Sequence, residues 1–168
     1  MSRALFIGRF QPFHNAHLAD IKKILKENDE VLIAIGSSQE KNTKENPFSL
    51  SERKKMLLAV LKSNKIKKFR LYNIPDAKTN AQWLRYIEKN IPQFDSVYSG
   101  NQRVLKIFRK HSKIKKIKLI KGISSTKIRE MMAKNKNWEK LVPKEIASQI
   151  KKLKGIERIK KLFSDKFK

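Results

Sequence analysis

Short apolar runs alternate with stretches of helical spacing along nearly the whole chain. Ala4 to Gly8 is a compact apolar run closed by glycine, which predicts a buried strand. From Asn15 to Glu27 the apolar residues Leu18, Ile21, Ile24 and Leu25 recur with the period of a helix. Val31 to Gly36 predicts a second buried strand. Ser49-Leu-Ser-Glu52 reads as a capping box, opening a helix through Lys62 with Met56, Leu57, Val60 and Leu61 turned inward. Phe69 to Ile74 predicts a third strand, stopped by Pro75, and Ala81 to Asn90 a helix. Phe94 to Gly100 predicts a fourth strand, followed by a helix from about Gln102 to Lys110. Ile117 to Ile120 predicts a fifth strand and Thr126 to Asn135 a helix. Two further helices, Pro143 to Leu153 and Ile156 to Phe167, close the chain.

Strands alternating with helices predict βαβ crossovers. The expected fold is α/β: a doubly wound, Rossmann-like sheet of about five parallel strands with helices on both faces and a helical extension from about residue 136. No repeat or linker interrupts residues 1–168, so one domain is expected. Such sheets bind ligands beyond the carboxyl ends of their strands. That rule selects the loops Gly8–His14, Gly36–Pro47, Pro75–Trp83, Gly100–Arg103 and Gly122–Thr126.

Charge adds a preference for anions. The 168 residues carry 41 Lys plus Arg against 15 Asp plus Glu, a formal charge of +26. Of the cations 32 are Lys and 9 are Arg, and the lysines are spread along nearly the whole chain. A nucleic-acid reader concentrates Arg and aromatic residues on one element. The dispersed charge therefore points to anionic small molecules and loose polyanion binding, with no specific nucleic acid as partner. Hydrophobic residues at 39%, including nine Phe, exclude a disordered basic tail. The absence of cysteine excludes disulfides, thiolate zinc sites and thiol catalysis. Only about five apolar residues follow Arg3, too few for a signal-peptide core. No apolar run approaches the ~18 residues of a membrane span. A cytoplasmic protein without membrane partners is expected.

Two loops carry candidate chemistry. In Gly8-Arg9-Phe10-Gln11-Pro12-Phe13-His14-Asn15-Ala16-His17, His14 and His17 lie three apart at a helix start, so both rings share one face beside free amide groups. Paired imidazoles there can donate to phosphate oxygens, or they can be structural and partly buried. Zinc is disfavoured, because a third ligand is missing. In Gly122-Ile123-Ser124-Ser125-Thr126-Lys127-Ile128-Arg129, the hydroxyls are good helix caps. Lys127 and Arg129, read as first-turn cations, oppose the helix dipole and suggest an anion between them.

Together, GRFQPFHNAH and ISSTKIR resemble the two signatures of the nucleotidyltransferase superfamily, HxGH and ISSTxxR. Asn46-Pro-Phe-Ser-Leu-Ser-Glu-Arg53, Asn80-Ala-Gln-Trp83, Val97-Tyr-Ser-Gly-Asn101 and Gly155-Ile-Glu-Arg-Ile159 extend the likeness over almost the whole chain, to the archaeal-type nicotinamide-mononucleotide adenylyltransferase family. The resemblance implies adenylyl transfer from ATP to nicotinamide mononucleotide, giving NAD and pyrophosphate. It implies Arg9, His14, His17 and Arg129 as catalytic groups. ATP would be bound by these together with Gly8, Phe10, Gly122, Ile123, Ser124, Ser125 and Thr126. The mononucleotide would meet Asp76, Asn80 and Trp83, with Ser37 and Lys44 nearby. It also implies Mg2+ or another divalent cation held mainly by phosphates, and a homo-oligomer, commonly a hexamer. Ala16 departs from the glycine of the first motif. Glu45 departs from an arginine expected for the acceptor phosphate, a role left to Lys44 or Lys41. A sister transferase acting on phosphopantetheine, FMN or a sugar-alcohol phosphate is the nearest rival, and a basic nucleic-acid module the next. The first loop lacks GxGxxG, which disfavours a dehydrogenase.

Overall fold

The computed structural model describes residues 1–117 and 120–164. Five strands form one parallel sheet in the order β3-β2-β1-β4-β5: β1 Arg3–Gly8, β2 Glu30–Ile35, β3 Phe69–Asn73, β4 Ser96–Ser99 and β5 Lys113–Lys116. Sequence order reverses between β1 and β4, the switch point of a doubly wound sheet. The helices are α1 Asn15–Glu27, α2 Leu50–Ser63, α3 Asn80–Asn90, α4 Gln102–Phe108, α5 Ser125–Ala133, α6 Lys144–Lys152 and α7 Gly155–Ser164, with a 3₁₀ turn at Glu139–Leu141. Among the described residues no helix is long and apolar enough to cross a membrane.

The chain divides into two compact units interleaved in sequence. The first, Met1–Arg9, Ala19–Ser38 and Lys68–Leu119, holds the sheet, α3, α4 and most of α1. Period-two alternation gives the sheet two apolar faces. Leu5, Ile7, Leu32, Ala34 and Val97 share a core cluster with Trp83 and Ile87 of α3 and Val104 and Phe108 of α4. Ala4, Phe6, Val31 and Ile33 occupy the alternate positions. On that face the Tyr98 hydroxyl donates to Glu27 at the end of α1, 2.8 Å away.

The second unit, Phe10–Leu18, Gln39–Lys67 and Ile120–Lys168, is helical. The capping box forms: Ser49 Oγ accepts from the Glu52 amide at 3.3 Å, and Glu52 Oε2 accepts from the Ser49 amide at 2.8 Å. Arg158 of α7 donates to both Glu52 oxygens at 2.8 and 2.9 Å and to the Pro47 carbonyl at 3.1 Å. A Cβ at Gly155 would meet the Phe48 and Ile150 side chains at 3.0 Å and the Ile150 carbonyl at 3.1 Å, so α7 begins at a tight contact where any side chain would need its neighbours to shift.

Two sequence expectations need correction. The described fifth strand is Lys113–Lys116, ahead of the expected Ile117–Ile120, and its Ile114 pairs with Val97 of β4. Of the expected segment, residues 118 and 119 lie outside the described residues, as do residues 165–167 of the last helix. Ser124 caps α5 through the Lys127 amide, which places Arg129 in the second turn rather than the first.

Candidate active site

The loop after β1 is buried from Phe10 to His14. Phe10 has φ +53°, the left-handed region that bulky residues rarely enter, and the Gln11–Pro12 bond is cis. Beyond it the rings of His14 and His17 stack, with centroids 3.6 Å apart and planes 13° from parallel. Phe10 meets His17 edge-on at 5.0 Å, and Phe13 lies tilted at 5.3 Å.

Each histidine amide donates to the other ring: His14 N to His17 Nδ1 at 3.3 Å, and His17 N to His14 Nδ1 at 3.4 Å. Both Nδ1 atoms are thus acceptors, and each neutral ring carries its proton on Nε2. Burial lowers the His14 pKa to about 4. Burial first, and the neighbouring His14 second, hold His17 well below its ordinary value. The pair therefore stands as two neutral Nε2–H donors at neutral pH.

The second motif closes onto this loop. Ser125 Oγ donates to the Pro12 carbonyl at 2.9 Å. Arg129, 4% exposed, donates from Nη1 to the Gln11 carbonyl at 2.8 Å and from Nη2 to Thr126 Oγ1 at 3.4 Å. Gly122, with φ +87°, turns the chain ahead of Ile123 and the Ser124 cap. Thr126 and Lys127 are exposed. Ala16 is buried in the first turn of α1.

The first unit holds a cavity of about 360 Å³ at the carboxyl ends of its strands. Gly8, Arg9, Ser37, Asp76, Trp83, Ser99, Asn101 and Arg103 line it. Ser37 Oγ donates to Asp76 Oδ1 at 3.1 Å. Trp83 is 8% exposed and packs edge-on against Phe108 at 6.1 Å, so it serves the core while its remaining surface faces the cavity. Asn80 does not line this cavity. Its Oδ1 accepts from Arg103 Nε at 2.9 Å, and it borders an adjoining open cleft that Arg103 shares. Lys44 lies in the second unit, its ammonium 4.4 Å from the Phe163 ring centre, and Lys41 and Glu45 are exposed. Among the described residues no group of three or more His, Asp or Glu side chains could hold a metal ion.

Sequence reading left out Gln11, whose amide pairs with the Phe48 backbone, and the Asn80–Arg103 bond. A polar amide set among Phe10, Pro12 and Phe13 is the signal that points to a satisfied, buried Gln11.

The sequence matches the cytidylyltransferase-like family over residues 5–131. It is 43% identical over 168 residues to the nicotinamide-nucleotide adenylyltransferase of Thermococcus sibiricus, covering 97% of this chain and 90% of that protein. It is likewise 43% identical to the nicotinamide-nucleotide adenylyltransferase of Thermococcus onnurineus, covering 95% and 88%. In fold it resembles the crystal structure of a bifunctional NMN adenylyltransferase/ADP ribose pyrophosphatase from Francisella tularensis, complexed with AMP and a manganese ion. There the TM-score is 0.82 at 22% identity, and the match spans 97% of this chain and about half, 52%, of that one. With both signature loops in place, the chain belongs to the cytidylyltransferase-like family and, within it, to the nicotinamide-nucleotide adenylyltransferases.

Proposed function

We propose that this protein transfers the adenylyl group of ATP to nicotinamide mononucleotide, forming NAD and releasing pyrophosphate. The observation that carries the reading is the stacked His14–His17 pair, held with both Nδ1 atoms accepting backbone amides and tied through Pro12 and Gln11 to Ser125 and Arg129. Relatives at about 43% identity over nearly their full length, named for the same reaction, support it.

In this reading an oxygen of the acceptor 5′-phosphate attacks the α-phosphorus of ATP in line. The bond from that phosphorus to the αβ-bridging oxygen breaks, and its electron pair leaves with pyrophosphate. No covalent enzyme intermediate is required. The side chains act by position and charge. His14 and His17 donate to phosphate oxygens as charge builds on them, and each ring gains proton affinity as it does so. Arg129 supplies fixed positive charge, and Phe10 with the Gly122–Thr126 turn shapes the ATP side.

The cavity lined by Trp83, Asp76 and Ser37 takes the mononucleotide; its volume lies in the range of small-molecule sites. Asn80 and Arg103 border its continuation. A divalent cation, Mg2+ or Mn2+, would supply charge neutralisation at the triphosphate, held mostly by phosphate oxygens and water, with Asp76 as the acidic side chain lining the cavity. The reading also includes a cytoplasmic homo-oligomer, which light scattering measures.

The test is pyrophosphate release from ATP with Mg2+ or Mn2+ and a panel of acceptors: nicotinamide mononucleotide, nicotinic acid mononucleotide, phosphopantetheine and FMN. NAD formed from the first is expected. Release with phosphopantetheine or FMN and none with either pyridine mononucleotide overturns the assignment.

A further inference from the structure

Connecting loops normally lie at the surface, because buried backbone groups need partners. The histidine loop is buried, and Gln11 is central to how its polar groups are satisfied. The residue is 1% exposed. Its Nε2 donates to the Phe48 carbonyl at 2.8 Å, and its Oε1 accepts from the Phe48 amide at 3.0 Å. A primary amide copies the donor–acceptor edge of a peptide, so this two-point pairing fixes the side chain in rotation as well as distance. The carbonyl of the same residue receives Arg129.

The anchor on the other side is stiff. Pro47 is held by Arg158, and Ser49 by the capping box with Glu52. Gln11 is thus the point where a rigid segment, the histidine loop and the arginine of the second motif meet.

We propose that Gln11 is a positioning residue for adenylyl transfer, fixing the histidine loop on Phe48 and so setting the placement of His14 relative to Arg129. The proposal rests on the transfer reading above. Its amide touches no reacting atom, and its effect passes through the groups it holds. Loss of that placement acts on the transition state, where errors of about 1 Å are costly.

Gln11→Met keeps the length of the side chain and removes both bonds to Phe48. Gln11→Glu keeps the acceptor for the Phe48 amide and loses the donor to its carbonyl. Both variants should lower kcat at least about tenfold at saturating substrates, while KM for nicotinamide mononucleotide stays within about twofold. A melt by circular dichroism shows that the molecules assayed are folded, and if Gln11→Met does not fold, Gln11→Glu carries the measurement. In an Arg129→Ala background, adding Gln11→Met should change kcat by less than about threefold, because the two act as one unit. A wild-type kcat in either folded variant, whatever its melting temperature, overturns the role. So does a full tenfold additional loss in the Arg129→Ala background. Wild-type protein that forms no NAD in the same assay counts against the transfer reading, which separates the two failures.

Discussion

Two imidazoles stacked at 3.6 Å, His14 buried and His17 half-buried, resist being charged together. Burial takes the His14 pKa to about 4, and burial with the neighbouring His14 holds that of His17 well below its ordinary value, so both rings are neutral in the folded protein at neutral pH. An unfolded histidine titrates near 6.5. Between these values the unfolded chain binds protons that the folded one refuses. The stability held above about pH 6.5 is therefore lost as pH falls toward 4. Asp20 works the other way, since burial pushes its carboxyl up to about 6 and it gains stability as acid protonates it in the fold. His14→Ala removes one histidine contribution and leaves Asp20 in place. Its melting temperature should decline less than that of wild type between pH 7 and 4.5, and parallel declines would contradict a burial-depressed His14. At pH 7.5 the same variant should lose roughly 10²–10³ in kcat/KM, the cost of one preorganised donor, while its melt stays cooperative.

At the scale of elements, α7 clamps the start of α2. Arg158 spans both Glu52 oxygens and the Pro47 carbonyl, and its guanidinium lies 5.8 Å from the centre of the Phe48 ring. Hydrogen bonds from Arg158, with those from the Ser49 amide, hold the Glu52 carboxyl below the usual carboxylate range despite burial. Arg158→Ala should destabilise the protein by about 1–3 kcal/mol, the value of hydrogen bonds to a charged group, read by urea unfolding; no change would mean that the pair is not formed in solution. The capping box it joins was legible, because Ser49 and Glu52 interact within one turn and leave a local signature. The early helices and the strands β1 to β3 were legible for the same reason, through period. What escaped depends on distant partners. The Lys-Ile-Lys-Lys strand β5 is half-exposed and becomes a strand by pairing with β4, whereas the more apolar Ile117–Ile120 attracted the assignment. Three residues apart on α3, Asn80 and Trp83 suggest one shared face. Packing divides them instead, since Trp83 sinks against Phe108 and Asn80 turns to Arg103. Arg129 was expected at phosphate, and its bond to the Gln11 carbonyl could not be seen in a linear pattern.

For the molecule as a whole, +26 on 168 residues makes a broad positive field. Polyanions should bind loosely, with affinity falling by about 0.9 in log–log slope for each phosphate neutralised. ATP offers few charges to a shaped site, so its affinity should fall less steeply. Titrations of ATP and of mixed-sequence DNA over a salt series measure the two slopes. A defined DNA sequence held ~10³-fold above bulk would instead mark a specific reader. The two units also draw on interleaved stretches of chain, and this bears on the order in which the protein becomes competent. The carbonyls of Gln11 and Pro12 are met by side chains 118 and 113 residues further on. A nascent chain leaves the ribosome from its amino end, so residues 10–14 emerge long before the partners that satisfy them. Until Ser125 and Arg129 are synthesised, the histidine loop has water as the partner for those carbonyls. A growing polypeptide thus carries both histidines well before their loop can be closed by its two distant side chains.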